Sequence, residues 1–318
     1  MRGSGIDDRT RARIAALPPF ADQAPESWKL EPLGGMTNRN VKLSRDGESY
    51  VVRLAGRGTE RYIDREREAH NAGVAAALGL CPEVLFVDPE SGTMVSRFVE
   101  GAVALNEERL RHPEVLRAVV ETLKRLHRSG RRFCGEMRLF PQLDAYLSLA
   151  KEGAAALVQE LAAARAEAET LRVALERHQE APAPCHIDPA PHNFIAEHRV
   201  DGPAQAEVGR IYLIDWEYSA MCEPMWDIAG LSIEGSFDPD QDAAMLDAYY
   251  GDATGARASR LALYKAALDL LAAAWGAVQL ADENHNADFR AFVAERLTRF
   301  RAATGDPRFG RHLSEASR

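Results

Sequence analysis

The stretch Cys185-His186-Ile187-Asp188-Pro189-Ala190-Pro191-His192-Asn193 sets a carboxylate and a carboxamide five residues apart on a proline-rich run that reads as loop, not helix. That pairing suits phosphoryl transfer. Asp188 can accept the proton of an attacking hydroxyl, and the amide oxygen of Asn193 can ligate Mg²⁺. A positioned base contributes about 10²–10⁴-fold, so metal and electrostatic stabilisation of the transferring group must supply the rest. The same His, Asp and Asn could instead satisfy the backbone of a turn. A second stretch, Ile211-Tyr212-Leu213-Ile214-Asp215-Trp216-Glu217-Tyr218, favours chemistry. Its apolar run, a predicted strand over Val208–Ile214, delivers Asp215 at the edge of a core, where a second Mg²⁺ ligand would serve the β- and γ-phosphates. Mg²⁺ usually takes only one or two protein carboxylates, so Asn193 with Asp215 suffices. The structural alternative for Asp215 is a strand-end cap, and Glu217 could touch metal or brace the loop.

The elements that must position these groups fall into two parts. Residues 1–100 read as strand, Gly loop, strand, strand, helix, strand, strand. Trp28–Leu33 is the first strand, and Gly34-Gly35-Met36-Thr37-Asn38 the loop. Val41–Ser44 and Ser49–Leu54 flank Asp46-Gly47, a dipeptide that tolerates positive φ and so marks a hairpin. Thr59–Leu78 has helix-forming composition with Gly79 at its end. Val84–Val87 and Thr93–Phe98 form a second hairpin. Residues 101–318 are mostly helical. Val115, Leu116, Val119, Val120, Leu123 and Leu126 share one face of a helix over Pro113–His127. Gly153–His178 reads as one or two helices, and helices dominate again after Gln241.

Bulk properties exclude several classes. The chain has 318 residues, enough for two lobes with real cores, and carries a net charge of −9. A general nucleic-acid surface is therefore not expected, while a cationic substrate is compatible. The cysteines Cys81, Cys134, Cys185 and Cys222 are scattered, as reduced thiols of a cytoplasmic protein would be. Met1–Arg13 lacks the apolar core of a leader. Leu261–Leu280, the most apolar segment, contains Lys265 and Asp269 and reads as a buried helix instead of a membrane span. His112, His178, His192 and His198 show no zinc spacing.

With these motifs in hand, HIDPAPHN followed by LIDWEY resembles the aminoglycoside phosphotransferase and choline kinase superfamily, relatives of the protein kinases. The Tyr of DWEY is more similar to the choline/ethanolamine kinase branch, particularly its bacterial members. The likeness runs from about Leu33 to about Gln279. It implies an α+β, bilobal protein-kinase-like fold, with a five-stranded antiparallel sheet and one helix in a small N-terminal lobe (1–100) and a larger helical C-terminal lobe (101–318). It also implies Asp188 as base, His186 as a structural residue of the catalytic loop, and Asn193 and Asp215 as metal ligands. Gly34, Gly35, Thr37 and Asn38 resemble the family's nucleotide loop, in which glycines let the backbone approach phosphates. Arg53 falls where protein kinases carry a lysine, and choline kinases likewise use Arg there, suited to bidentate phosphate contact. Its expected partner is Glu68, in the pattern Arg65-x-x-Glu68-x-x-Asn71. Phe98 would stand at the adenine hinge.

For the acceptor, the resemblance implies that Glu234 faces a substrate cation and that Trp275 lines its pocket, through cation–π attraction worth about 0.5–2 kcal/mol per ring. The family often has another aromatic three residues earlier, where this chain has Ala272. A missing wall could come from Tyr218, Trp226 or Tyr250. The expected activity is ATP- and Mg²⁺-dependent phosphorylation of a cationic amino alcohol such as choline or ethanolamine, by a monomer or a homodimer. The alternatives are an aminoglycoside or other metabolite O-phosphotransferase, and an inactive nucleotide-binding protein on the same fold. His127, in a Leu-His pair at a helix end, reads as structural.

Overall fold

Alternating apolar side chains at Val41 and Leu43, and at Val52 and Leu54, give two neighbouring strands a face with no access to water, and the first core forms on it. The computed structural model describes residues 6–21, 25–34, 38–55, 61–151, 155–197, 209–251, 253 and 255–316. In chain order the elements begin with α1 (Asp8–Ala15), β1 (Lys29–Leu33), β2 (Arg39–Arg45), β3 (Glu48–Leu54), α2 (Arg65–Ala77), β4 (Val84–Asp88), β5 (Thr93–Arg97) and β6 (Val103–Ala104). Then come α3 (Glu107–Leu110), α4 (Pro113–His127), α5 (Leu139–Ala150), α6 (Ala155–Glu167), α7 (Glu169–Arg177), β7 (Ala183–Cys185), β8 (Phe194–Ala196), β9 (Ile211–Leu213) and β10 (Ala220–Cys222). The last are α8 (Met225–Glu234), α9 (Pro239–Tyr250), α10 (Gly255–Ala281), α11 (Phe289–Thr304) and α12 (Phe309–Ala316). They assort into two units: residues 1–105 with 192–219, and residues 106–191 with 220–318.

The first unit holds the expected five-stranded antiparallel sheet, in the order β1-β2-β3-β5-β4. Arg53 lies in its central strand, opposite Asn40 on one side and Met94 on the other. Trp28 and Phe98 lie just outside the strands that were expected to include them. The helix expected from Thr59 starts later, at Arg65, because the Asp64 carboxylate caps it by accepting the Arg67 N–H at 3.0 Å. Thr59 itself lies outside the described residues. α1, which the sequence reading did not foresee, puts Ile14 into the core with Phe20 and Trp28. A small sheet, β6-β8-β9, completes the unit, and the Leu213 N–H ties it to the Leu80 carbonyl at 2.7 Å.

The second unit is helical around α10. Its apolar stretch is long enough to cross a membrane, but 78% of it is buried inside the protein, as expected for a core helix. α5, α8, α11 and α12 pack against it. α4 spans the predicted Pro113–His127, and Gly153–His178 yields the two helices α6 and α7. A two-stranded ribbon, β7 with β10, leads directly into His186.

Candidate active site

In the first unit, β3, α2 and the segment after β9 bring five charged side chains together. Arg53 Nη1 donates to Glu68 Oε1 and lies 3.6 Å from Asp215 Oδ1. Arg65 Nη1 donates to Glu68 Oε2 at 2.7 Å and to Glu217 Oε2 at 3.3 Å. Asn38, the last residue of the predicted nucleotide loop, donates from Nδ2 to the same Glu217 oxygen at 2.9 Å, and its Oδ1 accepts from Arg65 Nη2 at 3.4 Å. One turn on from Glu68, Asn71 Nδ2 donates to the Ser219 carbonyl at 2.9 Å. The pattern Arg65-x-x-Glu68-x-x-Asn71 is thus one helix face, spent on the residues around Asp215. Burial alone would raise the Glu68 carboxyl, but the hydrogen bond and charge of Arg53, with Arg65 behind it, hold it below its ordinary 4.5. Arg53 is raised in turn: burial opposes its charge, and Glu68, Asp215 and Glu217 outweigh that. Its Nε is buried with no hydrogen-bond partner among the described residues, a donor left for an anion.

Asp215 sits in the left-handed region at φ 67°, a turn that ends β9 and leaves its side chain about one-third exposed while Glu217 stays buried. Asn193 precedes β8, and Phe194 pairs with Leu213, so Asn193 and Asp215 emerge at the same end of the β8–β9 pair. The Ile214 N–H donates to the Asn193 carbonyl at 2.9 Å, fixing that geometry. Asn193 closes a 3-10 turn, Pro191–Asn193, where a loop was expected. A carboxylate and a carboxamide are hard oxygen donors, as Mg²⁺ prefers. Glu68, Asp215 and Glu217 also offer oxygens within 4.8 Å of one another, with Asp215 the most accessible. The residues present therefore fit a Mg²⁺ site on Asn193 and Asp215. Gly34 is exposed, and its carbonyl accepts from Asn40 Nδ2 at 2.9 Å. Gly35 and Thr37 lie outside the described residues. Phe98 follows β5, with its N–H on the Ser49 carbonyl at 3.0 Å and Lys42 Nζ 3.8 Å from its ring centre.

The second unit positions His186 and Asp188. Ile187 between them adopts φ 74°, a conformation that β-branched residues avoid and that costs about 1–3 kcal/mol unless its surroundings impose it. Here they do. Asp227 Oδ2 accepts the His186 N–H at 2.7 Å and Oδ1 accepts the Ile187 N–H at 2.8 Å. Trp226 Nε1 donates to the Ile187 carbonyl at 3.0 Å. His127 supports Asp227 from behind, its Nε2 2.9 Å from Asp227 Oδ2 and its Nδ1 2.7 Å from the Tyr249 hydroxyl. Pro189 packs on α8 where Gly230 has no side chain; a Cβ there would meet the ring at 3.1 Å. Asp227 and Tyr249 were not singled out from the sequence. The Trp226-Asp227 pair at the start of a helix was the signal available.

The acceptor candidates separate. Trp226 is buried with its indole spent on the Ile187 carbonyl, and Tyr250 packs edge-on against Tyr249 at 4.7 Å. Tyr218 is half-buried in the first unit, near Glu217 in sequence. Trp275 instead meets Phe289 and Phe292 of α11, with ring centres 5.6 and 5.9 Å away. These two rings stand beside Trp275 in a chain that has Ala272, and sequence spacing could not reveal them because a turn of the chain intervenes. Glu234 pairs with Arg296 at 2.6 Å.

Comparison with known proteins identifies the family. The family model described as the Phosphotransferase enzyme family matches residues 29–264. A choline/ethanolamine kinase family protein from Mesorhizobium loti, of known crystal structure, is 36% identical, with 98% of each chain covered and a TM-score of 0.79. The structure of choline kinase LicA from Streptococcus pneumoniae is 30% identical, covering 87% of this chain and 93% of that one, with a TM-score of 0.71. Protein LicA from Haemophilus influenzae is 28% identical over 283 residues, 85% of this chain and 78% of the relative. With the Arg53–Glu68–Asp215 cluster and the braced Asp188 loop on a kinase-like sheet and helical bundle, the chain belongs to the phosphotransferase enzyme family, in its choline kinase branch.

Proposed function

We propose that this protein is a kinase that transfers the γ-phosphoryl group of ATP to the hydroxyl of choline or ethanolamine. One observation carries the donor half of that reading: a buried arginine on the central strand, a glutamate on the adjoining helix and a strand-end aspartate form one ionic cluster. The choline and ethanolamine kinase relatives support the acceptor half, as do the rings gathered at Trp275.

The residues take the following roles. Arg53, held rigid by Glu68, presents fixed positive charge to the phosphates, so little reorganisation is needed when charge shifts in the transition state. Gly34 and Asn38 bound the segment that would take the phosphates, and Glu217 holds its Asn38 end. Asn193 and Asp215 would hold Mg²⁺, which neutralises charge on the β- and γ-phosphates when bound. Asp188 orients the acceptor hydroxyl and takes its proton as the oxygen attacks phosphorus. His186 and Ile187, fixed through their N–H groups by Asp227, keep Asp188 in place. The acceptor's cation lies against the aromatic faces around Trp275.

The test is ADP release by purified protein with Mg·ATP and choline, ethanolamine or an aminoglycoside panel. Turnover of choline or ethanolamine, lost on Asp188→Asn, is expected. Turnover of an aminoglycoside alone would move the acceptor assignment, and tight ATP binding without any turnover would make this an inactive relative.

A further inference from the structure

The resemblance assigns Glu234 to the acceptor's cation, yet this carboxylate already has a cation. Arg296 Nη2 donates to Glu234 Oε1 at 2.6 Å. Arg296 is buried, and its Nη1 reaches Asp269 Oδ1 at 3.1 Å, while Arg299 Nε takes Asp269 Oδ2 at 3.2 Å. Two guanidiniums thus face Glu234 and Asp269, with the exposed Glu295 3.8 Å from Arg299 at the rim, so Glu234 meets a matched charge in Arg296. The Arg296 guanidinium also stands 4.9 Å from the centre of the Phe292 ring, which meets Trp275 edge-on. Helix α11 can bring that ring close because residue 276 is glycine: a Cβ there would lie 2.9 Å from Phe292 Cδ1. A carboxylate beside an aromatic face is the chemistry that seats an ammonium ion. Here the chain's own guanidinium pairs with the carboxylate and stands over Phe292 alone among these rings, and no cation of the chain stands over Trp275 among the described residues.

We propose that Arg296 is a specificity-determining residue: by neutralising Glu234 it leaves the acceptor's cation to the ring faces alone, and so selects a quaternary ammonium over a primary one. The inference rests on the choline-or-ethanolamine reading above. A trimethylammonium group has no N–H and spreads its charge over methyl groups, so ring faces satisfy it. A primary ammonium brings three donors that lose water on entry, and each donor left without an acceptor costs affinity. A carboxylate whose charge is already matched draws those donors weakly. Arg296→Met keeps much of the apolar stem and removes the charge, returning Glu234 to the acceptor.

The experiment measures kcat and KM for choline and ethanolamine at saturating Mg·ATP, with melting temperatures, for the full chain and for Arg296→Met, Arg296→Lys and Glu234→Gln. The parent is expected to favour choline in kcat/KM by about tenfold or more. Arg296→Met is expected to shrink that ratio about tenfold, chiefly through a lower KM for ethanolamine, and Arg296→Lys to retain it. Should Arg296→Met not fold, Glu234→Gln decides: removing this carboxylate, about one-third exposed, is expected to change choline KM by less than about threefold. A parent that prefers ethanolamine overturns the proposal. So does a folded Arg296→Met with an unchanged ratio, or a Glu234→Gln whose choline KM rises about tenfold. A parent that turns over neither alcohol overturns the functional reading and this one with it. A parent active on both with no response in the variants overturns only the role of Arg296.

Discussion

Asp227 and His127, a hundred residues apart in sequence, meet at 2.9 Å behind the loop that carries Asp188. Both are buried, and their hydrogen bonds go to Tyr249 and to the backbone of His186 and Ile187. Together with Trp226 they hold Ile187 in a backbone conformation it would not adopt alone. The precision of the proposed base therefore originates one layer behind it, in a carboxylate fully occupied by two backbone N–H groups and an imidazole.

Replacing Asp227 with Asn leaves one acceptor oxygen where two backbone donors and His127 now converge. The loop would relax from φ 74° at Ile187, and Asp188 would lose its aim. The expected outcome is a kcat lower by about 10²-fold or more, within the range a positioned base supplies, with KM for ATP little changed. Steady-state kinetics with both substrates varied checks this. A parallel rise in ATP KM would place Asp227 in nucleotide binding instead.

The Arg53–Glu68 pair is buried, so removing one partner strands the other charge. Arg53→Met or Glu68→Gln alone is expected to cost about 3–5 kcal/mol in urea unfolding, and the double replacement Arg53→Met/Glu68→Met less than the sum. The pair also predicts an acid limb. Glu68 titrates below its ordinary 4.5 in the folded state, so its contribution is present above about pH 4.5 and lost as pH falls through the lowered value. Unfolding free energies measured from pH 7 to pH 3 should fall on that limb more shallowly in Glu68→Gln than in the parent.

Much of this was legible in the sequence. Period-two burial at Val41, Leu43, Val52 and Leu54 and the Asp46-Gly47 turn specify a hairpin locally, and the α4 stripe specifies its helix, because each signal lies within one element. The apolar run before Asp215 marked a strand end, though the strand itself is only Ile211–Leu213. What remained hidden depends on long-range contact. Glu217 as the partner of Asn38 spans 179 positions, and the Phe289 and Phe292 rings reach Trp275 only after α10 has reversed into α11. The start of α2 was misplaced because helix-forming composition carries on through residues that the Asp64 cap excludes.

The four thiols should divide by burial. Burial pushes Cys81 up to about 12 against a weak pull from Trp216, and burial likewise raises Cys185, with Cys222 and Asp227 adding to it. Cys222 is buried as well, and Cys134 is exposed. Since the thiolate is the reactive form, an aromatic disulfide reagent at pH 8 is expected to label one equivalent quickly, and the other three only in denaturant. Cys134→Ser should abolish the fast phase. A second fast thiol at Cys185 or Cys222 in the folded protein would mean that the β7–β10 ribbon opens readily.

Glu217 offers the sharpest test of the donor side, because two roles predict different metal dependence. Its Oε2 already accepts from Asn38 and Arg65, so it clasps Asn38, the end of the proposed nucleotide loop, to α2. A hydrogen bond to a charged group is worth about 1.5–3 kcal/mol, which bounds what the clasp can add to nucleotide affinity. Glu217→Ala is therefore expected to weaken ADP binding by about tenfold or more in calorimetry, and by a similar factor with Mg²⁺ present or with the metal chelated. Asn38→Ala should reproduce part of the effect, and the two changes should add to less than their sum, because they remove the same contact. If the loss for Glu217→Ala appears only when Mg²⁺ is present, Glu217 acts as a metal ligand and the clasp does not set nucleotide affinity.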